Sequence, residues 1–209
     1  MSARVKTKYM MLFGVLSLAV YFSIQQIVSH QYDFLTTFDE SIPFLPWTVW
    51  IYHSIVPVIV ATMFLLVKSR KLFFTTFWAS VATMVLVNMF YILFPSFYPR
   101  PEFVPSTITE YFVHFSYMID NSSNTFPSGH VAFAWLMYWG GSRSQKAQEL
   151  KELRRLFLLW AIGLSLSTLT LKMHYLIDLL GGFAIGTISF FVIKSYINKR
   201  SLYSEEVPS

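Results

Sequence analysis

Cysteine is absent from the 209 residues, which excludes disulfides, thiolate catalysis and Cys-ligated metal. Charge is scarce as well. Only 13% of the residues are Asp, Glu, Lys or Arg, against roughly 25% in an average soluble domain, too few to cover the surface of a water-soluble fold of this size. With 55% hydrophobic residues the chain is not disordered, and a net charge of +5 on so apolar a chain does not describe a nucleic-acid-binding module. What is abundant is aromatic: 21 Phe, 12 Tyr and 6 Trp, suited to lipid and to the lipid–water boundary. The composition is that of a polytopic membrane protein whose first partner is the bilayer.

Taking ~20 residues for a helix that crosses a bilayer, the sequence predicts an all-α bundle of six transmembrane helices, at about 9–28, 47–67, 72–94, 128–141, 156–173 and 175–194. The fourth is short, and the fifth and sixth are divided only by a tight connection around His174. Backbone groups in hydrocarbon must be satisfied within their own segment, which requires helices here. No soluble domain, internal repeat or low-complexity linker interrupts the pattern, so residues 1–209 read as one integral-membrane domain. The first apolar run is too long for a cleavable signal and lacks a small-residue cleavage site. Pro57 predicts a kink, and Gly181-Gly182…Gly186 a close helix contact.

Basic residues set the orientation. Arg4, Lys6 and Lys8 precede the first span; Lys68, Arg70 and Lys71 separate the second and third. Arg143, Lys146, Lys151, Arg154 and Arg155 lie between the fourth and fifth, and Lys194, Lys199 and Arg200 follow the sixth. All fall on one side, predicting cytoplasmic termini in a plasma or bacterial inner membrane. The acids Asp33, Asp39, Glu40, Glu102, Glu110, Asp120 and Asp178 fall opposite. Arg100 and Lys172 alone break the rule. Arg100 has a local ion-pair explanation in Glu102; the functional explanation is that both cations await an anion on the outer face.

The external connection from Pro95 to Pro127 begins extended, with Pro95, Pro99, Pro101 and Pro105. From Ile108 the apolar residues Ile108, Tyr111, Phe112, Phe115, Met118 and Ile119 fall at helical spacing. This predicts an amphipathic helix between spans three and four, lying in the interface or packed over the bundle.

Of the five histidines, His30, His53, His114, His130 and His174, two keep suggestive company. His130 ends Phe126-Pro127-Ser128-Gly129-His130, where the fourth span starts. Serine caps a helix, proline suits its beginning, and glycine admits a ligand close to the backbone. The unpaired amides and dipole of a helix start hold anions, so the segment reads either as a phosphate site with a proton donor or as an ordinary capped helix. His174 and Asp178 are four residues apart, on one face if a helix begins there. An ionisable residue inside a span is a functional candidate. The carboxylate can bind one ring nitrogen and leave the other as a nucleophilic lone pair. Metal binding is the rival use of such a pair, with His130 the one further ligand in view; phosphate chemistry is preferred, with no metal and no cofactor expected.

Arg100-Pro101, Pro127-Ser128-Gly129-His130, and Ser167 with His174 and Asp178 resemble the three signature motifs of the type 2 phosphatidic acid phosphatase superfamily, over about residues 39–186. The wording around them resembles its inositol phosphorylceramide synthase branch more than the common phosphatases. The resemblance implies His174 as nucleophile, Asp178 as its orienter and His130 as general acid. Arg100, Ser128 and the Gly129 amide would bind the phosphate. Two family cations are missing, since Leu93 and Thr168 stand where the motifs carry Lys and Arg; Lys172 is positioned to restore one. The expected activity is a lipid phosphate phosphatase working through a phosphohistidine on the non-cytoplasmic face, without nucleic acid or an obligatory protein partner. The alternatives are a lipid phosphotransferase with the same residues and a non-catalytic transporter or scaffold. A transporter usually shows Gly/Pro-broken helices in matching halves, which are not evident.

Overall fold

The structure is a computed structural model, and it describes residues 2–27, 32–120 and 122–205. His30 and Val28, the predicted end of the first span, lie outside the described residues. The described residues form ten α-helices: α1 Ala3–Ile27, α2 Thr37–Ser41, α3 Val49–His53, α4 Ile55–Ala61, α5 Arg70–Leu93, α6 Ile108–Ile119, α7 Gly129–Gly141, α8 Gln145–Glu149, α9 Lys151–Thr170 and α10 Leu176–Glu205. The regular structure is helical throughout, apart from isolated bridges of Tyr32 with Ser96 and Phe97 with Ser123.

Five stretches are long and apolar enough to cross a membrane: Arg4–Gln26, Pro46–Phe64, Arg70–Leu93, Lys151–Thr170 and Leu176–Arg200. The fourth predicted span is present as α7, but at 13 residues it is shorter than the ~20 a perpendicular crossing requires. Pro46–Phe64 is not one regular helix. A 3-10 turn at Pro46–Thr48 leads into α3, and α3 gives way to α4 at Ser54. Pro57 has no N–H for the carbonyl of His53, and its ring crowds that carbonyl, so the interruption falls one turn before it. The segment ends in a π turn, Thr62–Leu66. Buried Lys6 from α1 donates to the carbonyls of Met63 at 2.8 Å and Val67 at 2.6 Å, supplying acceptors at the end of this segment with the donor they lack.

α7 is the centre of the packing, flanked by α10, α9 and α5. Its contact with α10 is backbone against backbone. A β-carbon at Gly182 would lie 2.4 Å from the Ser128 carbonyl oxygen, and one at Gly186 2.1 Å from that of Ala132. Small residues spaced four apart permit this approach, and the contact fixes the start of α10 beside the start of α7.

α6 forms over the residues that the apolar spacing picks out. A capping box starts it: the Thr107 side chain accepts from the amide of Glu110 at 3.2 Å, and the Glu110 carboxylate accepts from that of Thr107 at 3.0 Å. It buries Val113 and Ser116 and leaves Ile108, Tyr111, Phe112, Phe115, Met118 and Ile119 exposed.

Candidate active site

The site is built from three chain segments, and the end of α9 shows how the fold aims them. Lys172 has φ +53°, a left-handed conformation uncommon without glycine. Its amide bonds to Leu169 O at 2.9 Å and that of Met173 to Thr168 O at 3.0 Å, the paired bonds of a Schellman motif. The His174 amide also reaches Thr168 O, at 3.3 Å. The remaining carbonyls are satisfied from elsewhere. Leu45 N–H donates to Thr170 O at 2.9 Å, Tyr117 Oη to Leu171 O at 2.5 Å and Arg100 Nη1 to Lys172 O at 3.2 Å. A buried helix end demands this complete accounting, and meeting it turns the chain so that His174 points inward between α9 and α10.

His174 therefore stands before α10, not on it, while Asp178 occupies the helix's first turn. The two are 6% and 0% exposed. Nδ1 of His174 lies 2.9 Å from the carbonyl oxygen of Thr125 and 3.2 Å from Oδ2 of Asp178. A carbonyl only accepts, so these partners assign the proton to Nδ1 and leave Nε2 a bare lone pair. Oδ2 of Asp178 also accepts from Tyr175 N–H at 2.9 Å, one half of a capping box.

Ser128 is fully buried and caps α7, its hydroxyl accepting from Val131 N–H at 3.4 Å. Its own amide donates to Asp178 O at 3.0 Å, a direct tie between the second and third motifs. A β-carbon at Gly129 would stand 3.2 Å from the hydroxyl oxygen of buried Tyr91. His130 follows in the first turn of α7. Its ring centroid is 6.5 Å from that of His174, near enough for both rings to touch one phosphate group.

Arg100, half-buried, reaches Asp120 O at 3.3 Å as well as Lys172 O, with its guanidinium 5.0 Å from the Tyr117 ring centroid. The ammonium of Lys172 donates to the carbonyl of Asp39 at 2.9 Å, so the left-handed turn that aims His174 gives this side chain a protein partner. The two positions without the family cations differ in setting: Leu93 is exposed at the end of α5, whereas Thr168 is buried and its carbonyl holds the α9 turn. The Ser167 hydroxyl bonds back to Leu164 O at 2.7 Å. His53 bonds to Ser116 at 2.8 Å, and His114 is exposed on α6. Among the described residues no three His, Asp or Glu side chains are grouped to hold a metal ion.

Sequence reasoning missed several supporting groups. Buried Asp39 accepts from the first amide of α10, Leu176 N–H, at 2.8 Å, and from Thr36 N–H at 3.0 Å and the Thr36 hydroxyl. Thr36-x-x-Asp39 has the form of a capping box, so that signal was available. The Thr125 carbonyl left none, being backbone. Around this anchor, burial and the nearby charge of Asp39 push the Tyr98 phenol up to about 12. Burial and a hydrogen bond to Asp33 push that of Tyr175 higher still. Both stay protonated, and Tyr175 Oη donates to Asp33 at 2.7 Å.

No curated protein matches the chain in sequence. Among solved structures, the first transmembrane PAP2-type phosphatidylglycerolphosphate phosphatase from Bacillus subtilis superposes with a TM-score of 0.53 at 20% identity, over 93% of this chain and 96% of that one. At that identity the likeness is one of fold, an all-helical transmembrane architecture. The profile of the PAP2 superfamily matches residues 76–202, the greater part of the chain and the part holding Arg100, His130, His174 and Asp178; the chain belongs to that superfamily.

Proposed function

We propose that the protein is a membrane-embedded lipid phosphate phosphatase acting through a phosphohistidine. The observation that carries the reading is the bond from His174 Nδ1 to the Thr125 carbonyl, because it keeps Nε2 unprotonated and aimable at phosphorus. In the first step Nε2 attacks, the P–O bond to the lipid breaks, and His130 gives its proton to the departing oxygen. Asp178 stabilises the positive charge that develops on His174. In the second step water attacks the phosphohistidine and surrenders a proton to neutral His130. The P–N bond breaks and inorganic phosphate leaves. Positioning and charge complementarity supply most of the rate in phosphoryl transfer. Arg100 and the Gly129 amide are assigned to the phosphate oxygens. Lys172 is assigned to the Asp39 turn, which removes it from the set of phosphate ligands expected from sequence.

We place α7 as the sixth crossing, completing a single-domain bundle with cytoplasmic termini and the site on the non-cytoplasmic side. The positive-inside distribution supports this orientation. The exposed apolar side chains of α6 support its lying in the interface at the mouth of the site, where a lipid headgroup enters.

The test is a panel of lipid phosphates given to the purified protein beside His174→Ala, with both free phosphate and lipid products measured. Phosphate release that the variant lacks supports the phosphatase. A new phospholipid with little free phosphate identifies a phosphotransferase, the same intermediate captured by another hydroxyl. Turnover of none by the parent protein favours a transporter or scaffold, and an active His174→Ala overturns the mechanism.

A further inference from the structure

A second polar network faces the imidazole that the Thr125–Asp178 pair does not touch. Asp120 ends α6 as its C-cap, and three donors from two other segments converge on it. Tyr21 Oη and Gln25 Nε2, both from α1, donate to Oδ1, the latter at 3.3 Å. Tyr52 Oη from α3 donates to Oδ2 at 3.3 Å. Tyr52 is 4% exposed; its ring centroid lies 4.3 Å from that of His130 at an interplanar angle of 30°, and its hydroxyl is 3.4 Å from His130 Nδ1.

The direction of these bonds follows from the inventory of protons. A phenol has one hydrogen to give, and a carboxylate accepts only. With the Tyr52 hydrogen on Asp120, the Tyr52 oxygen is left to accept from Nδ1 of His130. We infer that Tyr52 and Asp120 are positioning residues that set the tautomer of His130, placing a hydrogen on Nδ1 and turning Nε2 to the phosphate as the atom that gives and takes the proton. The inference rests on the phosphoryl-transfer reading above. The two imidazoles are then held alike, each giving Nδ1–H to a protein acceptor and keeping Nε2 for the reacting group.

A purely structural role for the network, tying α1 and α3 to the link between α6 and α7, slows every substrate alike. A role through His130 in the first step, the step that kcat/KM reports, acts only where the leaving oxygen needs a proton. The second step is common to both substrates and enters kcat alone. Full-length protein in lipid nanodiscs is therefore assayed on phosphatidic acid, whose alkoxide must be protonated, and on p-nitrophenyl phosphate, whose phenolate leaves without help. Tyr52→Phe keeps the ring against His130, and Asp120→Asn keeps the shape of the carboxylate. Both variants lower kcat/KM on phosphatidic acid by roughly 10²-fold, the low end of what a general acid contributes. Their kcat/KM on the aryl phosphate falls by less than about threefold on the same ground. Equal losses on both substrates, or no loss on either, overturn the inference.

Nitrogen NMR of 15N-histidine-labelled protein reads the tautomer without turnover and decides wherever a variant folds poorly or a substrate is not cleaved. The parent protein shows neutral His130 protonated on Nδ1, and Tyr52→Phe erodes that preference. A parent His130 protonated on Nε2 refutes the assignment. A parent protein that cleaves neither substrate refutes the phosphatase reading, while the NMR result still judges the tautomer.

Discussion

Gly186 and Ala132 meet so closely that a β-carbon on the glycine would stand 2.1 Å from the alanine carbonyl oxygen. This backbone contact sets α10 against α7, and the neighbouring bond from Ser128 N–H to Asp178 O at 3.0 Å carries the same register into the site. The separation of His130 and His174 is thus a consequence of helix packing two turns away.

Gly186→Ala is expected to lower the thermal unfolding midpoint in detergent, at a cost of about 1–3 kcal/mol or more from overpacking against backbone that cannot yield. Gly14→Ala is the matched control, because nothing lies within 4 Å of a β-carbon there. Alanine's higher helix propensity makes that change neutral or slightly stabilising. Equal behaviour of the two variants would show that the α7–α10 contact is looser than described.

Asp178→Asn keeps the shape of the site and removes the charge that favours imidazolium at His174. Turnover of a lipid phosphate should fall by roughly 10²-fold or more, as expected when a catalytic histidine loses its carboxylate partner, while the fold persists by circular dichroism. An unchanged kcat would mean that the Thr125 carbonyl alone orients the ring.

Arg100 is the only basic side chain assigned to the phosphate. Arg100→Gln is expected to cost roughly 2.7–4 kcal/mol in transition-state stabilisation, the loss measured for a single oxyanion donor, read as kcat/KM. Arg100→Lys should recover little, because an ammonium cannot reproduce the forked bonds to Lys172 O and Asp120 O. Full rescue by lysine would remove Arg100 from the set of geometric determinants. Lys172→Met is expected to act differently, weakening the Asp39 turn and thermal stability before it alters the affinity for phosphate.

The start of α6 should be sensitive to acid. The carboxylate of Glu110 accepts from the amide and hydroxyl of Ser106, each at 2.8 Å, and from the amide of Thr107 at 3.0 Å. These bonds hold its pKa below the ordinary 4.5. A depressed folded value means the cap contributes fully above 4.5 and is lost as the pH falls through the lowered value. Hydrogen-exchange protection of the Ser106 and Thr107 amides, corrected for intrinsic rates, should be constant down to about that pH and then decline. Glu110→Gln should flatten the dependence; protection unaffected by acid in the parent protein would contradict the cap.

Much of this architecture was written in local order. Apolar runs and their lengths located the long helices, because a backbone in hydrocarbon has no other way to satisfy itself. Ser128 announced the start of α7 by its capping chemistry, the spacing from Ile108 to Ile119 announced α6, and the glycines of α10 announced a close contact. The four-residue interval from His174 to Asp178 announced a pair, although His174 stands in the turn before the helix. Other features depended on distant segments. Which ring nitrogen of His174 carries the proton is decided by the Thr125 carbonyl, 49 residues away. The partner of the Lys172 ammonium is the Asp39 carbonyl, 133 residues away, and the setting of His130 is decided by Tyr52 and Asp120. A sequence displays the donors and acceptors that a residue carries and the spacing along its own helix. Only the folded backbone brings the partner groups of separate segments within hydrogen-bonding distance, and that distance determines where each proton resides.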